Sequence, residues 1–270
     1  MSIIYKTKPG NNEYKVESKN GLLMMCDILG FTNLVNNSRC TDLSEKIVNI
    51  IDTLKIATEI ECNIILKQHP TLPNKIPNWS EKYVLKYFIL SDTIIIYPHV
   101  DYEKNSNEYQ VSLQILASIT KALFNHFLTD LNLLIRGAIV ADEYCLVEEP
   151  PMIYGKAVIK AHQHEKNQNW GGVLLSPSIS KALKNSFVLE QSFKEYDEIP
   201  FKNTNLKEFI ELYDIKSASI YVLNWVMNEY KIKWDEIEET TKNIMYDEQI
   251  QDALNKIKNT KKFYYKFIKE

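Results

Sequence analysis

The chain has 270 residues, 45% hydrophobic and 25% charged, with a formal net charge of −3. That profile suits one globular core with an extension, and its mild acidity argues against a general nucleic-acid binder. The sequence shows no run of 18 apolar residues and no signal-peptide pattern, so a cytoplasmic chain without a membrane span is expected.

Residues 1–20 are polar and rich in Asn and Lys, which reads as a loose arm with a short edge strand near Ile3 to Tyr5. The run from Leu22 to Cys26 is continuously apolar and reads as a buried strand, with the carboxylate of Asp27 at its end. Gly30 then allows a tight turn that exposes backbone amides. A carboxylate beside such amides suits a divalent metal carrying phosphates, although a plain strand-and-turn has the same pattern. From 42 to about 67, Leu43, Ile47, Ile50, Ile51, Leu54, Ala57, Ile60 and Ile64 recur at helical spacing, and Asp42 with Glu45 resembles a capping box. Pro70, Pro73 and Pro77 make 69–80 a loop. Residues 82–90 and 93–98 form a hairpin with Ser91-Asp92 at its tip.

After a polar connection at 100–108, Val111, Ile115, Ile119, Leu123, Phe127 and Leu131 mark a second helix, and 133–140 another buried strand. The acidic stretch 142–152 reads as a solvated loop. A third helix is expected over 155–167, with His162 and His164 exposed on it. Then come a short strand at 173–175, a short helix opened by Ser176-Pro177 and a closing strand at 209–215. Residues 216–270 carry Ile220, Leu223, Met227 and Tyr230 and then Ile237, Ile244, Ile250, Leu254 and Ile257. This reads as a helical extension packed on the core or on a second subunit. Its basic end at Lys261, Lys262, Lys266 and Lys269 leaves a membrane- or partner-binding tail as the lesser reading. Cys26, Cys40, Cys62 and Cys145 have no metal or disulfide spacing and read as buried reduced thiols. The order β-α-β-β-α-β predicts an α+β, ferredoxin-like split βαβ sheet. The expected segments are an arm at 1–20, a catalytic domain at 21–215 and a helical extension at 216–270.

Cys26-Asp27-Ile28-Leu29-Gly30-Phe31-Thr32 resembles the D-I-x-G-F-T signature of class III nucleotide cyclases. Ser91-Asp92 sits where that family has a Gly-Asp hairpin. Arg136-Gly137-Ala138-Ile139 resembles its R-x-G-I strand, and Ile153-Tyr154-Gly155-Lys156-Ala157-Val158 its stretch before the third core helix. Within the class, Ser91-Asp92-Thr93, Arg136-Gly137 and the 161–165 stretch look most like the pyrimidine cyclases of bacterial anti-phage (Pycsar) operons.

The resemblance implies attack of a ribose 3′-oxygen on the α-phosphorus of a nucleoside triphosphate, with loss of pyrophosphate. It implies two Mg²⁺ or Mn²⁺ ions held by Asp27, Asp92 and the Ile28 carbonyl, and a phosphate cradle made by the amides of Leu29, Gly30, Phe31 and Thr32. Arg136 would pair with a phosphate, its bland alternative being a surface ion pair. It implies a homodimer with composite sites, metal acids from one subunit and base pocket from the other, and a product read by a separate effector. The two positions where the family reads a purine hold Phe88 and Met152, which narrow the pocket and suit a smaller base, unless both are simply core. The resemblance to the pyrimidine cyclases, rather than either residue, puts UTP ahead of CTP. The family's third-helix Asn and transition-state Arg are replaced by Ile159 and Gln163, leaving Lys160, His162, His164 or Lys166 as candidate substitutes. An adenylate or guanylate cyclase with an unusual pocket, and a degenerate cyclase domain that binds nucleotide and regulates a partner, are the competing readings.

Overall fold

A computed structural model describes residues 2–6, 13–68, 85–98, 107–147, 149, 151–184, 186–196, 198–201, 220–226, 231–245 and 247–268. Its elements begin with β1 (Ser2–Lys6), β2 (Glu13–Ile28), α1 (Phe31–Asn37), α2 (Cys40–Gln68), β3 (Leu85–Leu90), β4 (Thr93–Pro98), α3 (Asn107–Thr129) and β5 (Ile135–Val147). There follow β6 (Met152–Gly155), α4 (Lys156–Lys166), β7 (Val173–Leu175), α5 (Pro177–Ala182), α6 (Phe187–Ser192), β8 (Phe193–Glu195), β9 (Tyr221–Leu223), α7 (Trp234–Ile244) and α8 (Asp247–Phe267).

β2 is the centre. Leu22, Leu23, Met24, Met25 and Cys26 are all buried, so both faces of the strand are covered, and this is why the run does not alternate. β2 pairs antiparallel with β4 on one side and β5 on the other, and β4 pairs antiparallel with β3. The order β3-β4-β2-β5, with helices between β2 and β3 and between β4 and β5, is the split βαβ arrangement. The fold is α+β, with α2 against α3, and α4 against β2 and β5. Beyond β5 the sheet continues through β7, which is parallel to β5, then β9 and β8.

Several expectations change. Residues 13–20 are not a loose arm; they extend β2, because β1 and the far half of β5 offer pairing partners. For the same reason 142–147 is strand rather than loop, and Asp142 pairs its charge with Lys160 on α4. α2 begins at Cys40, so Asp42 lies in the first turn rather than capping it. Cys40 is exposed, and Cys62 and Cys145 are only partly buried; Cys26 alone fits the buried-thiol reading. The expected loop at 69–80, most of the connection at 100–108 and the expected closing strand at 209–215 lie outside the described residues. The strand seen beside β7 is β9, where Val222 faces Leu174 and Tyr221 faces Leu175. Ile220 and Leu223 therefore belong to a strand and its entry, not to a helical stripe; Met227 and Tyr230 lie outside the described residues.

The C-terminal helices pack on this core through aromatic rings. Trp225 stacks on Phe124 of α3 at 4.6 Å between centroids and lies 5.5 Å from Phe263 of α8. Phe263 also meets Trp170 edge-on at 5.1 Å. Thr260 Oγ1 accepts from the Gly171 amide at 2.7 Å, and Asn259 donates to the Asn169 carbonyl at 2.8 Å. These large rings are well buried, so α8 is anchored to the sheet by a substantial apolar area. Among the described residues no helix is long and apolar enough to cross a membrane.

Candidate active site

The sheet register brings the expected site residues together. Asp27 lies opposite Thr93 on β4 and opposite Arg136 on β5, so the three share one row and one face. Asp92 is in the turn next to Thr93, and its carbonyl accepts the Ile28 amide at 2.9 Å, which holds the hairpin tip against the end of β2. Ser91, at the first central position of that two-residue turn, has φ 57°, a left-handed conformation usually given to glycine.

Gly30 has φ 86° and caps α1. A Cβ there would sit 2.9 Å from Met245 Cε and 3.2 Å from Ile244 Cδ1, so the position needs glycine both for its backbone and for the approach of α7 and its following turn. The Leu29 amide is committed to the Leu134 carbonyl at 2.9 Å and does not join a phosphate cradle, contrary to expectation. The cradle reduces to the amides at the start of α1, which have no acceptor four residues back in the helix.

These residues line a cleft of about 600 Å³ whose walls are Asp27 to Asn33 with Asp92 and Arg136 on one side, and Met245, Gln249, Asp252, Ala253 and Lys256 on the other. Phe88 and Met152 are not among its lining residues. Phe88 packs partly buried on the core, and Met152 is exposed on β6, as are Tyr154 on the same strand and Ile159 on α4. One chain therefore does not bring the expected base pocket to the metal acids. Gly155, the cap before α4, has φ 137°, and a Cβ there would meet the Tyr144 Cα at 2.7 Å.

Arg136 is not a surface ion pair, and its guanidinium is already engaged within the chain. It is buried, donates from Nε to Glu165 Oε1 at 2.5 Å and from Nη1 to the Gln168 carbonyl at 3.0 Å, and its Nη2 also pairs with Glu165. A further oxygen, Asp27 Oδ2, lies 3.8 Å from Nη2. Glu165 and Gln168 thus clamp the guanidinium beside the site. Burial, then the charges of Glu165 and Asp92, push the Asp27 carboxyl up to about 7, against the opposing pull of Arg136.

Carboxylates crowded this way carry negative charge that the protein leaves poorly matched, which is the chemistry of a cation site with hard oxygen donors. Among the described residues no group of three or more His, Cys, Asp or Glu side chains is arranged to hold a metal ion by itself. Asp27 and Asp92 are hard oxygen donors of the kind that Mg²⁺ or Mn²⁺ would take. None of Lys160, His162, His164 and Lys166 lines the cleft. His164 is not exposed, as expected from its helix, but fully buried, and burial lowers its imidazole to about 3.

Asp27 and His164 act in opposite directions on stability. The raised Asp27 carboxyl keeps its proton in the folded state between about pH 4 and 7, so it favours folding on acidification. The depressed His164 stays neutral while the unfolded imidazole protonates below about pH 6.5, so it opposes folding on acidification. Each contributes a slope of up to about 1.4 kcal/mol per pH unit. Metal-free Asp27→Asn should therefore lose stability more steeply than the parent from pH 6.5 to 4.5, and His164→Leu less steeply. Urea unfolding in chelator at several pH values checks this; equal slopes in all three proteins would refute it.

Sequence reasoning did not find the α8 wall. Its signal was present: Gln249, Asp252 and Lys256 recur at helical spacing beside the apolar Ile250, Leu254 and Ile257.

No family model and no curated protein matches the chain. Solved structures resemble it in chain path. The adenylyl cyclase CyaB from P. aeruginosa is 14% identical with a TM-score of 0.48, over 77% of this chain and 95% of that one. The guanylate cyclase domain of RhGC from Catenaria anguillulae, in complex with GTP, is 13% identical with a TM-score of 0.43, over 77% and 98%. A class III adenylyl cyclase-like ATP-binding protein from Pseudomonas aeruginosa is 13% identical with a TM-score of 0.36, over 63% of this chain and 35% of that one. At these identities and scores no shared activity follows from the likeness.

Proposed function

We propose that the chain is a pyrimidine nucleotide cyclase that converts UTP to 3′,5′-cyclic UMP and pyrophosphate, a second messenger for anti-phage defence read by a separate effector. The observation that carries the reading is the meeting of Asp27 and Asp92 at a cleft walled by the Gly30 turn and the start of α1. In the reaction the 3′-oxygen forms a bond to the α-phosphorus, the bond from that phosphorus to the β-phosphate bridge breaks, and the 3′-hydroxyl proton leaves to solvent. Two divalent ions, when bound, lower the cost of the alkoxide and offset the triphosphate charge. The chain's own part is to hold those ions with Asp27, Asp92 and the Ile28 carbonyl, and to receive phosphate oxygens at the amides of residues 30–32. Arg136 braces Asp27 from behind.

The active unit is a homodimer. Met152 and Tyr154 are exposed on β6, and Ile159 is exposed on α4. In a two-fold dimer these residues and Phe88 of one copy complete the site of the other. A purine set against Phe88 and Met152 would lose hydrogen bonds at its ring edge, each worth about 1–3 kcal/mol. The choice of uracil over cytosine rests on the family resemblance alone.

The test is pyrophosphate release and product identity from an equimolar mixture of the four nucleoside triphosphates with Mn²⁺. Cyclic UMP is expected as the main product. Cyclic CMP would change only the base, making the chain a cytidylate cyclase. Cyclic AMP or cyclic GMP would overturn the pocket argument. Gln163 in place of the transition-state Arg favours a second reading, a nucleotide-binding regulator without turnover; tight binding with no pyrophosphate from any substrate would select it. Mixing inactive Asp27→Ala with inactive Met152→Asp should restore part of the activity, since one site of the mixed dimer is intact.

A further inference from the structure

We propose that Lys256, carried to the cleft by the chain's own C-terminal helix α8, is a phosphate-binding residue that takes the triphosphate charge opposite the Gly30 turn. This rests on the nucleotide-cyclase reading of the cleft.

The docking of α8 against α1 puts the lysine there. Asn33 of α1 donates to Gln249 Oε1 at 3.0 Å and to Met245 Sδ at 3.2 Å, and Asn37 donates to the Ile244 carbonyl at 3.4 Å. Gly30 lets Met245 and Ile244 come into contact with the turn. Seven residues further along α8, on the same face as Gln249, Lys256 lines the cleft facing Asp27 to Asn33. The aromatic anchor around Phe263 fixes the far end of the helix, so this wall belongs to the folded core.

Charge singles out Lys256. A bound triphosphate brings several negative charges, and two described cationic side chains line the cleft, Arg136 and Lys256. Arg136 is already held by Glu165 and the Gln168 carbonyl. Lys256 Nζ is paired with Asp252 Oδ2 at 2.6 Å one turn back, and that carboxylate is 60% exposed. With its carboxylate in solvent, this pair on one helix face is screened and readily exchanged. The lysine side chain is only 14% exposed, so its stem is packed, and the residue lines the cleft. Asp252 serves as a placeholder that holds the ammonium until phosphate displaces it.

The experiment measures KM and kcat with Mn²⁺ and the preferred nucleoside triphosphate, and inhibition by inorganic tripolyphosphate and by the matching nucleoside monophosphate. Lys256→Ala should weaken the triphosphate and tripolyphosphate by about tenfold or more, as loss of a charge-assisted contact does, and leave the monophosphate unchanged. Lys256→Arg should recover most of the loss, and Asp252→Asn should tighten tripolyphosphate by releasing the ammonium. Equal affinity in Lys256→Ala, equal loss for mono- and triphosphate, or a gain in turnover would each overturn the proposal; the last would make α8 a lid rather than a ligand. If the parent protein neither binds nor turns over any of the four triphosphates, the cyclase reading fails and this assignment with it. A working parent with an unaffected Lys256→Ala refutes this assignment alone.

Discussion

Asp27→Ala and Asp92→Ala are expected to lose cyclisation by about 10³-fold or more while remaining folded, since each would remove a carboxylate from a two-ion site worth several kcal/mol at the transition state. Stability should move the other way for Asp27. Its carboxyl is pushed up to about 7 by burial, Glu165 and Asp92, so ionising it at pH 8 opposes folding in the absence of metal. Asp27→Asn should therefore melt at a higher temperature than the metal-free parent at pH 8. It should also lose the stabilisation that Mn²⁺ gives the parent. Activity lost together with stability would mean that Asp27 is a structural acid. Product formed by either alanine variant in Mn²⁺ buffer would end the metal assignment.

The second large effect is expected at Glu165. Arg136 is 6% exposed and Glu165 2%, and the guanidinium's ion partner at hydrogen-bond distance is that carboxylate. Glu165→Leu leaves a buried guanidinium with the Gln168 carbonyl and a carboxylate 3.8 Å away, and should cost about 3–5 kcal/mol. That is a large share of the roughly 5–15 kcal/mol available to a domain. The double variant Arg136→Met with Glu165→Leu should recover much of the loss, because a well-packed apolar pair replaces a buried ion pair at little net cost. Urea unfolding of the singles and the double measures the coupling. The same double variant separates the roles of Arg136. If it folds and cyclises, the arginine is only structural; if it folds and is inactive, the arginine positions Asp27 or contacts phosphate.

The elements most readily legible in the sequence were those whose signal is local. The continuous apolar run before Asp27, the Ser91-Asp92 hairpin, the helical spacing from Val111 to Phe127 and the short strand at 173–175 all appear where the pattern put them. Each depends on side chains a few positions apart, and period and turn chemistry report such neighbours directly. The closeness of Asp27 and Asp92 was also readable, because two acids at the ends of adjacent strands have few other places to go. The acidic stretch at 142–147 misled for the opposite reason. Its charge suggested a loop, but a strand needs only a partner for its backbone, and β2 provided one far away in sequence.

What the sequence by itself determined is therefore the α+β order, the strand-end acids and the turn at Gly30. Tertiary structure alone decided the surroundings of those acids. Arg136 faces Glu165 across 29 positions, and Asn33 reaches Gln249 across 216. Burial on both sides of β2 leaves Asp27 poorly solvated, which raises its carboxyl, and the same sheet buries His164 on a helix whose pattern looked exposed. Desolvation and long-range pairing depend on what the rest of the chain brings to a point in space, and no local spacing encodes that. The polar stripe Gln249, Asp252 and Lys256 could be read as one face of a helix, but it became a wall of the cleft only when the rings of Trp225, Trp170 and Phe263 drew α8 onto the sheet and Gly30 left room for its approach.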